Sequence, residues 1–193
     1  MTETSGAELH DYLERLCNLA RAEARAAVAD PGLQPVQLEA LRYLARCNRY
    51  SNTPLAVAEY LGSTKGTVSQ TLMVLESKGL VTKETDAGDR RVIRLGPTPR
   101  GLEVLAGAIP GPILRRAAED LAGPRLEALV AGLRGLLRGI QAANGLRSFG
   151  SCASCRFNRR ISEGYQCGLT GEALAESDLG KVCREHEYPS VGI

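Results

Sequence analysis

Four of the chain's six cysteines, Cys152, Cys155, Cys167 and Cys183, fall in its last quarter, and His186 follows the last of them by three residues. Residues of these types at this spacing do metal chemistry, because a deprotonated cysteine is a soft, strong ligand for zinc or iron. Two ligand sets can be drawn. Tetrahedral zinc favours two short pairs, which here would be Cys152 with Cys155 and Cys183 with His186, leaving Cys167 idle. An iron–sulfur cluster asks for four thiolates at irregular separations, and Cys152, Cys155, Cys167 and Cys183 supply that number. His186 then becomes a donor to a sulfur instead of a ligand. The 15 residues between Cys167 and Cys183 break the two-pair pattern, and on spacing alone an iron–sulfur cluster and zinc both stay open. The spacing matches neither ferredoxin pattern. Arg156, Arg159, Arg160, Lys181 and Arg184 flank the thiols and would offset the charge of a thiolate–metal unit. Cys17 and Cys47 lie among apolar neighbours at helical positions and read as small core residues. A directly oxidised sensor thiol among them would need exposure and a lowered pKa.

The rest of the chain must position that cluster of thiols. At 193 residues it can hold one domain of ordinary size plus an appendage. Its first residues are acidic and polar, unlike a secretory signal, and no apolar run approaches the roughly 20 residues that span a bilayer. A cytoplasmic protein with reduced thiols is expected, without a membrane partner. Net charge is only +2. Its distribution is more telling: residues 63–100 carry seven basic groups against four acidic ones, whereas residues 1–30 are net negative. A local basic excess can face phosphates.

Helix signals are dense up to residue 145. Ser5 and Glu8 form a capping box ahead of Leu9, Tyr12, Leu13, Leu16 and Leu19, and Asp30-Pro31-Gly32 stops the run. Pro35 opens a second helix that turns Leu38, Leu41 and Leu44 inward. Thr53-Pro54 caps a third, ended by Gly62, and Ser63 caps a fourth with Val68, Leu72 and Leu75 on its inner face and Gly79 as its stop. Strands are predicted over residues 81–85 and 90–95, around a turn at Asp86-Ala87-Gly88-Asp89. Helical pattern resumes near Thr98, is broken by Pro110 and Pro112, and returns after Gly123-Pro124. There Leu126, Leu129, Val130, Leu133, Leu136, Leu137 and Ile140 make a broad apolar stripe.

Helix–turn–helix followed by a basic hairpin is the winged-helix plan, in which the fourth helix enters the major groove. Opposite its inner face stand Gly66, Ser69, Gln70 and Met73, with Thr67 at the edge. Gln70 can pair bidentately with adenine, Ser69 and Thr67 can bond base edges, and Gly66 allows close backbone approach. Ser63 and Lys65 lie at the positive helix end, where phosphates bind. Leu55-Ala-Val-Ala-Glu-Tyr-Leu, Thr67-Val-Ser-Gln-Thr-Leu, Leu75-Glu-Ser-Lys-Gly-Leu-Val, Asp89-Arg-Arg and Thr98-Pro-Arg-Gly together resemble the MarR family of bacterial transcriptional regulators, over roughly residues 5–145. That resemblance implies a homodimer whose first and last helices interlock and whose two recognition helices read a palindromic operator in double-stranded DNA. It also implies that Asp89 braces the wing by a salt bridge and that Arg90 or Arg91 reaches DNA. It allows a small apolar or phenolic effector.

By the resemblance the family ends with the striped helix, so residues 147–193 are a departure. They are glycine-rich and poor in large apolar groups, and a bound metal is the expected staple. The pieces Cys152-x2-Cys155-Arg-Phe, Cys167-Gly-Leu and Cys183-Arg-Glu-His resemble the cysteine-bearing extensions of some MarR-like regulators, which implies a [4Fe-4S] cluster as the cofactor, with zinc the alternative. The expected fold is mainly α: a winged helix-turn-helix with N- and C-terminal dimerisation helices and a small metal-stapled C-terminal extension. Its parts are a dimerisation helix (1–34), the DNA-binding domain (35–101), further dimerisation helices (102–146) and the cysteine-rich extension (147–193). The expected function is that of a regulator, read as a repressor, whose operator binding responds to redox or iron state through the cluster. The extension leaves the dimer helices directly, so its reordering would respace the recognition helices. The alternative keeps the DNA-binding dimer, with a structural zinc and a small-molecule effector. No cofactor-binding glycine loop, nucleophile triad or acid–base pair argues for an enzyme.

Overall fold

The computed structural model describes residues 5–27 and 32–189; Asp30 and Pro31 of the expected first stop lie outside them. Helix α1 (Gly6–Ala27) starts where the Ser5 hydroxyl accepts the Glu8 amide. Its neighbour α2 (Pro35–Arg46) begins with proline and turns Leu38, Leu41 and Leu44 inward. Helix α3 (Pro54–Leu61) is capped by Thr53, which accepts the Ala56 amide, and it closes on left-handed Gly62.

Helix α4 (Lys65–Ser77) is capped by Thr64, which accepts the Thr67 amide, and not by Ser63. The reason lies upstream: the Ser63 amide is used to close α3, donating to the Ala58 carbonyl. The cap therefore falls one residue later, on another hydroxyl of the same kind. Val68, Thr71, Leu72 and Leu75 bury the inner face of α4, and Gly79, at φ 67°, ends it.

Strands β1 (Val81–Thr85) and β2 (Ile93–Pro97) pair antiparallel, Val81 facing Pro97 and Thr85 facing Ile93. The second strand starts three residues later than the expected 90–95. Asp86 takes the Gly88 and Asp89 amides, and Asp89 takes the Arg91 amide, so residues 86–92 are spent on the turn. The ion pair bracing the wing is Asp86–Arg94 at 2.6 Å, in place of the expected bridge from Asp89. The helices α5 (Pro99–Ala108), α6 (Pro112–Asp120) and α7 (Pro124–Ala143) follow. The core sits among α2, α3, α4, α5 and the wing. By contrast α6 and α7 bury no residue, and Leu129, Val130, Leu133, Leu137 and Ile140 stand exposed on α7.

The extension folds as a 3₁₀ turn (Cys152–Ser154) and an antiparallel sheet of β3 (Asn158–Ile161), β4 (Gly164–Cys167) and β5 (Ala173–Leu174). It buries Leu174 and Val182, more than its composition led us to expect. It docks on the segment after α2 and on α3, not only on the end of α7. Val182 exchanges hydrogen bonds with the segment after α2, its amide donating to Arg46 O at 2.8 Å and its carbonyl accepting from Asn48 N at 2.9 Å. Phe149 stacks edge-on against Tyr43 and Tyr60, and Arg184 forks onto both oxygens of Glu59 at 2.7 Å.

Candidate nucleic-acid interface and cysteine cavity

On α4 the residues opposite the core, Gly66, Ser69, Gln70 and Met73, are all exposed, as the 3.6-residue period requires once Val68 and Leu72 are fixed inward. Thr67 is exposed too, though its hydroxyl lies 2.9 Å from that of Thr64. A groove of about 600 Å³ runs between α4 and the wing, lined in part by Lys65, Ser69, Lys83 and Arg91. Lys83 is paired with Glu76 at 2.5 Å. Arg90 and Arg91 stand exposed at the wing's turn. The groove's wall is mostly apolar, from Pro54, Leu55, Leu72, Val92 and Ile93, with the Ser69 hydroxyl beside it and cations along its edges. Ser63 lies beside the groove's helix end, its hydroxyl donating to Leu61 O.

The second site is a cavity of about 90 Å³ rimmed by Cys152, Cys155, Cys167 and Cys183, thiols that come from one turn, one strand end and the segment after Val182. Cys152 opens the 3₁₀ turn and Cys155 closes it, the Cys155 amide donating to Cys152 O. Cys167 ends β4 opposite Asn158 of β3. Cys183 follows Val182 and donates its amide to Gly150 O. Phe157, Leu169 and Leu174 give the cavity apolar walls, while Asn48 and Tyr50 close it from the segment between α2 and α3. The thiols line the wall without converging: among the described residues no three His, Cys, Asp or Glu side chains are gathered to hold a single ion.

Cys183 beside it and burial push the Cys152 thiol up, while Cys152 beside it holds the Cys183 thiol down. Asn48 Nδ2 points at Cys152 Sγ from 3.9 Å. Asn158 Oδ1 is buried without a hydrogen-bond partner.

His186 is buried outside the cavity, with Nδ1 2.6 Å from Ser148 Oγ and Nε2 3.0 Å from Ser154 Oγ. Burial lowers its pKa, and the neutral ring finds both its partners in serine hydroxyls, none in a sulfur. Three of the five flanking cations are spent on carboxylates: Arg156 on Glu187, Lys181 on Asp178 and Arg184 on Glu59. Cys47 is buried, and burial pushes its thiol up to about 12. Cys17, expected in a core, is exposed on α1, where its apolar neighbours Tyr12, Leu16 and Leu19 are exposed too and only the C-terminal end of the helix packs on the core. Asn48, Tyr50 and Asn158 were invisible as site residues in the sequence, because polar residues near a turn carry no mark of what faces them.

Residues 32–92, about a third of the chain, match a family model of the MarR family. The transcriptional regulator HosA of Escherichia coli O127:H6 is 36% identical over 80 residues, which are 42% of this chain and 58% of HosA. The chain therefore spans less than two thirds of the length of the curated relatives it matches. S. aureus MepR in its DNA-binding conformation superposes with a TM-score of 0.57 at 25% identity, over 68% of this chain and 98% of MepR. A crystal structure of the MepR–DNA complex gives 0.57 at 23% identity, over 71% of this chain and 99% of that one. These likenesses establish the winged-helix fold and leave nearly a third of the chain without a counterpart.

Proposed function

We propose that this chain, a winged-helix protein whose residues 32–92 are of the MarR family, is a DNA-binding transcriptional repressor that acts as a homodimer and senses iron or redox state through a [4Fe-4S] cluster held by its extension. The observation that carries the reading is that four thiols spread over residues 152–183 rim one cavity seated against the DNA-reading module. On the DNA side, α4 lies in the major groove with Ser69 and Gln70 toward base edges and Gly66 allowing close approach. Ser63, Lys65 and Thr67 sit by the backbone at the helix start, and Arg90 and Arg91 reach out from the wing. Two copies reading a palindrome follow from a two-fold dimer. HosA is named a transcriptional regulator and MepR has been crystallised with DNA; the same role is assigned to this chain on the strength of its groove.

Cys152, Cys155, Cys167 and Cys183 would each take one iron, a task suited to thiols disposed around a cavity and not gathered at a point. When bound, the cluster supplies one-electron redox chemistry and a sensitivity to oxidants. The chain's own residues favour such a group. Asn158 has an orphaned amide that can turn its N–H toward sulfur, Asn48 already points at Cys152, and Phe157, Leu169 and Leu174 keep water out. The zinc alternative needs the His186 ring, whose two nitrogens are engaged by serines. A small-molecule effector is a second reading, favoured by a separate cavity of about 170 Å³ where α1 meets α2 and the start of α6.

Protein purified without oxygen should be brown, with iron matched by acid-labile sulfide, and should shift a DNA duplex selected from a random library. Cys167→Ser should lose both colour and regulation. A colourless protein with one zinc per chain, retained in Cys167→Ser, would overturn the cluster and send the search to the effector cavity.

A further inference from the structure

The seven residues joining α2 to α3 touch both sites. On one side Asn48 Nδ2 faces Cys152 Sγ at 3.9 Å, and Asn48 Oδ1 accepts from Tyr50 N at 3.2 Å and from Ser51 Oγ at 2.7 Å. The Ser51 hydroxyl in turn accepts the Arg184 amide at 2.8 Å, next to Cys183. On the other side the same turn holds the wing. Arg94 Nη1 donates to Arg49 O at 2.9 Å and to Asn52 Oδ1 at 3.2 Å, while Asn52 and Leu95 exchange two further bonds, Leu95 N to Asn52 O at 2.8 Å and Asn52 Nδ2 to Leu95 O at 3.1 Å. Arg94 then reaches Asp86, which organises the wing's turn. A side chain that meets a cavity sulfur is thus two hydrogen-bonded steps from the arginine that fixes the wing.

We propose that this turn carries the state of the four-cysteine cavity to the wing, with Asn48 as the positioning residue that reads the sulfur and Arg94 as the group that receives the signal. The inference rests on the metal-binding reading of the cavity. A metal-bound thiolate is a fixed, anionic acceptor, so an occupied cavity holds the Asn48 amide and through it residues 48–52. An empty one leaves that turn to be ordered when DNA binds, which weakens binding. Coupling therefore runs through the DNA-reading module itself, without requiring the dimer helices to respace.

The test compares loaded wild-type protein with protein stripped by chelator under anaerobic conditions, on one duplex selected from a random library by the loaded form. Wild type should bind about tenfold more tightly when loaded, within the usual range of allosteric coupling, and amide exchange over residues 86–95 should slow on loading. Asn48→Ser keeps a turn-forming acceptor but removes the amide. It should retain iron and sulfide yet show loaded and stripped affinities within about twofold, with the wing's exchange indifferent to loading. Arg94→Gln should weaken DNA binding in both forms and also erase their difference. If either variant keeps the full loaded-to-stripped ratio, or wild-type wing exchange ignores loading, the relay is wrong while the cluster stands. If zinc is the metal found, the cluster reading fails and the same ratios, measured with zinc, still decide the relay. Protein that retains neither metal overturns both.

Discussion

Gln70 and Lys65 stand five residues apart on α4, and the proposed DNA-binding reading gives them two kinds of contact. An amide can offer a donor and an acceptor at once to an adenine edge, whereas Lys65, at the helix start, is assigned in that reading to phosphate. Gln70→Ala should therefore cost about 1–3 kcal/mol on the selected duplex and relax preference at one base position in each half-site. Lys65→Ala should weaken all duplexes alike and reduce the slope of log affinity against log salt by about one. Affinity measured over a salt series on selected and scrambled duplexes tells them apart, and a Gln70→Ala protein with unchanged base preference would remove this residue from the reading surface. Residues of this kind are legible in a sequence because the helical period alone sorts exposed from buried. Asn48 is not, since its partner sulfur lies 104 positions away and only the docking of the extension brings them together.

At the scale of elements the same contrast holds. Helix starts at Thr53-Pro54 and Thr98-Pro99 were readable because a cap is a local contract between a side chain and an amide three residues on. The slip from Ser63 to Thr64 shows the limit: two hydroxyls compete, and the closing of the preceding helix decides between them. The seat of the extension was unreadable, because it depends on long-range bonds between Val182 and the segment after α2. Gly150 offers a direct handle on that seat. A Cβ there would stand 2.5 Å from the buried His186 ring, which two serines hold in place. Gly150→Ala should thus cost about 1–3 kcal/mol by overpacking, seen as a lower melting temperature and faster proteolysis within residues 147–189. Gly107→Ala on α5, where nothing lies within 4 Å, should be neutral or stabilise by up to about 1 kcal/mol. Equal behaviour of the two variants would mean that the extension is not seated as described.

For the whole molecule the decisive feature is apolar surface with no partner among the described residues. Leu133 and Leu137 are 44% and 55% exposed on α7, and Tyr12, Leu16 and Leu19 are 65%, 57% and 51% exposed on α1. Two long helices with bare stripes beside a buried winged-helix core call for a second copy. A dimer also places two α4 helices on one duplex, where the second contact is made at high effective concentration. Leu133→Asp combined with Leu137→Asp would put two charges into that interface. Because neither side chain is buried within the chain, helix content should be unchanged, while light scattering should report a monomer. Affinity for a palindromic duplex should fall about a hundredfold or more, toward that for a single half-site. The extension docks on the module rather than on α7's stripe, so the cavity should still take up iron and sulfide in the monomer. Loss of metal binding along with dimerisation would show that the partner subunit helps to build the cysteine site, and a double variant that stays dimeric would move the interface off α7.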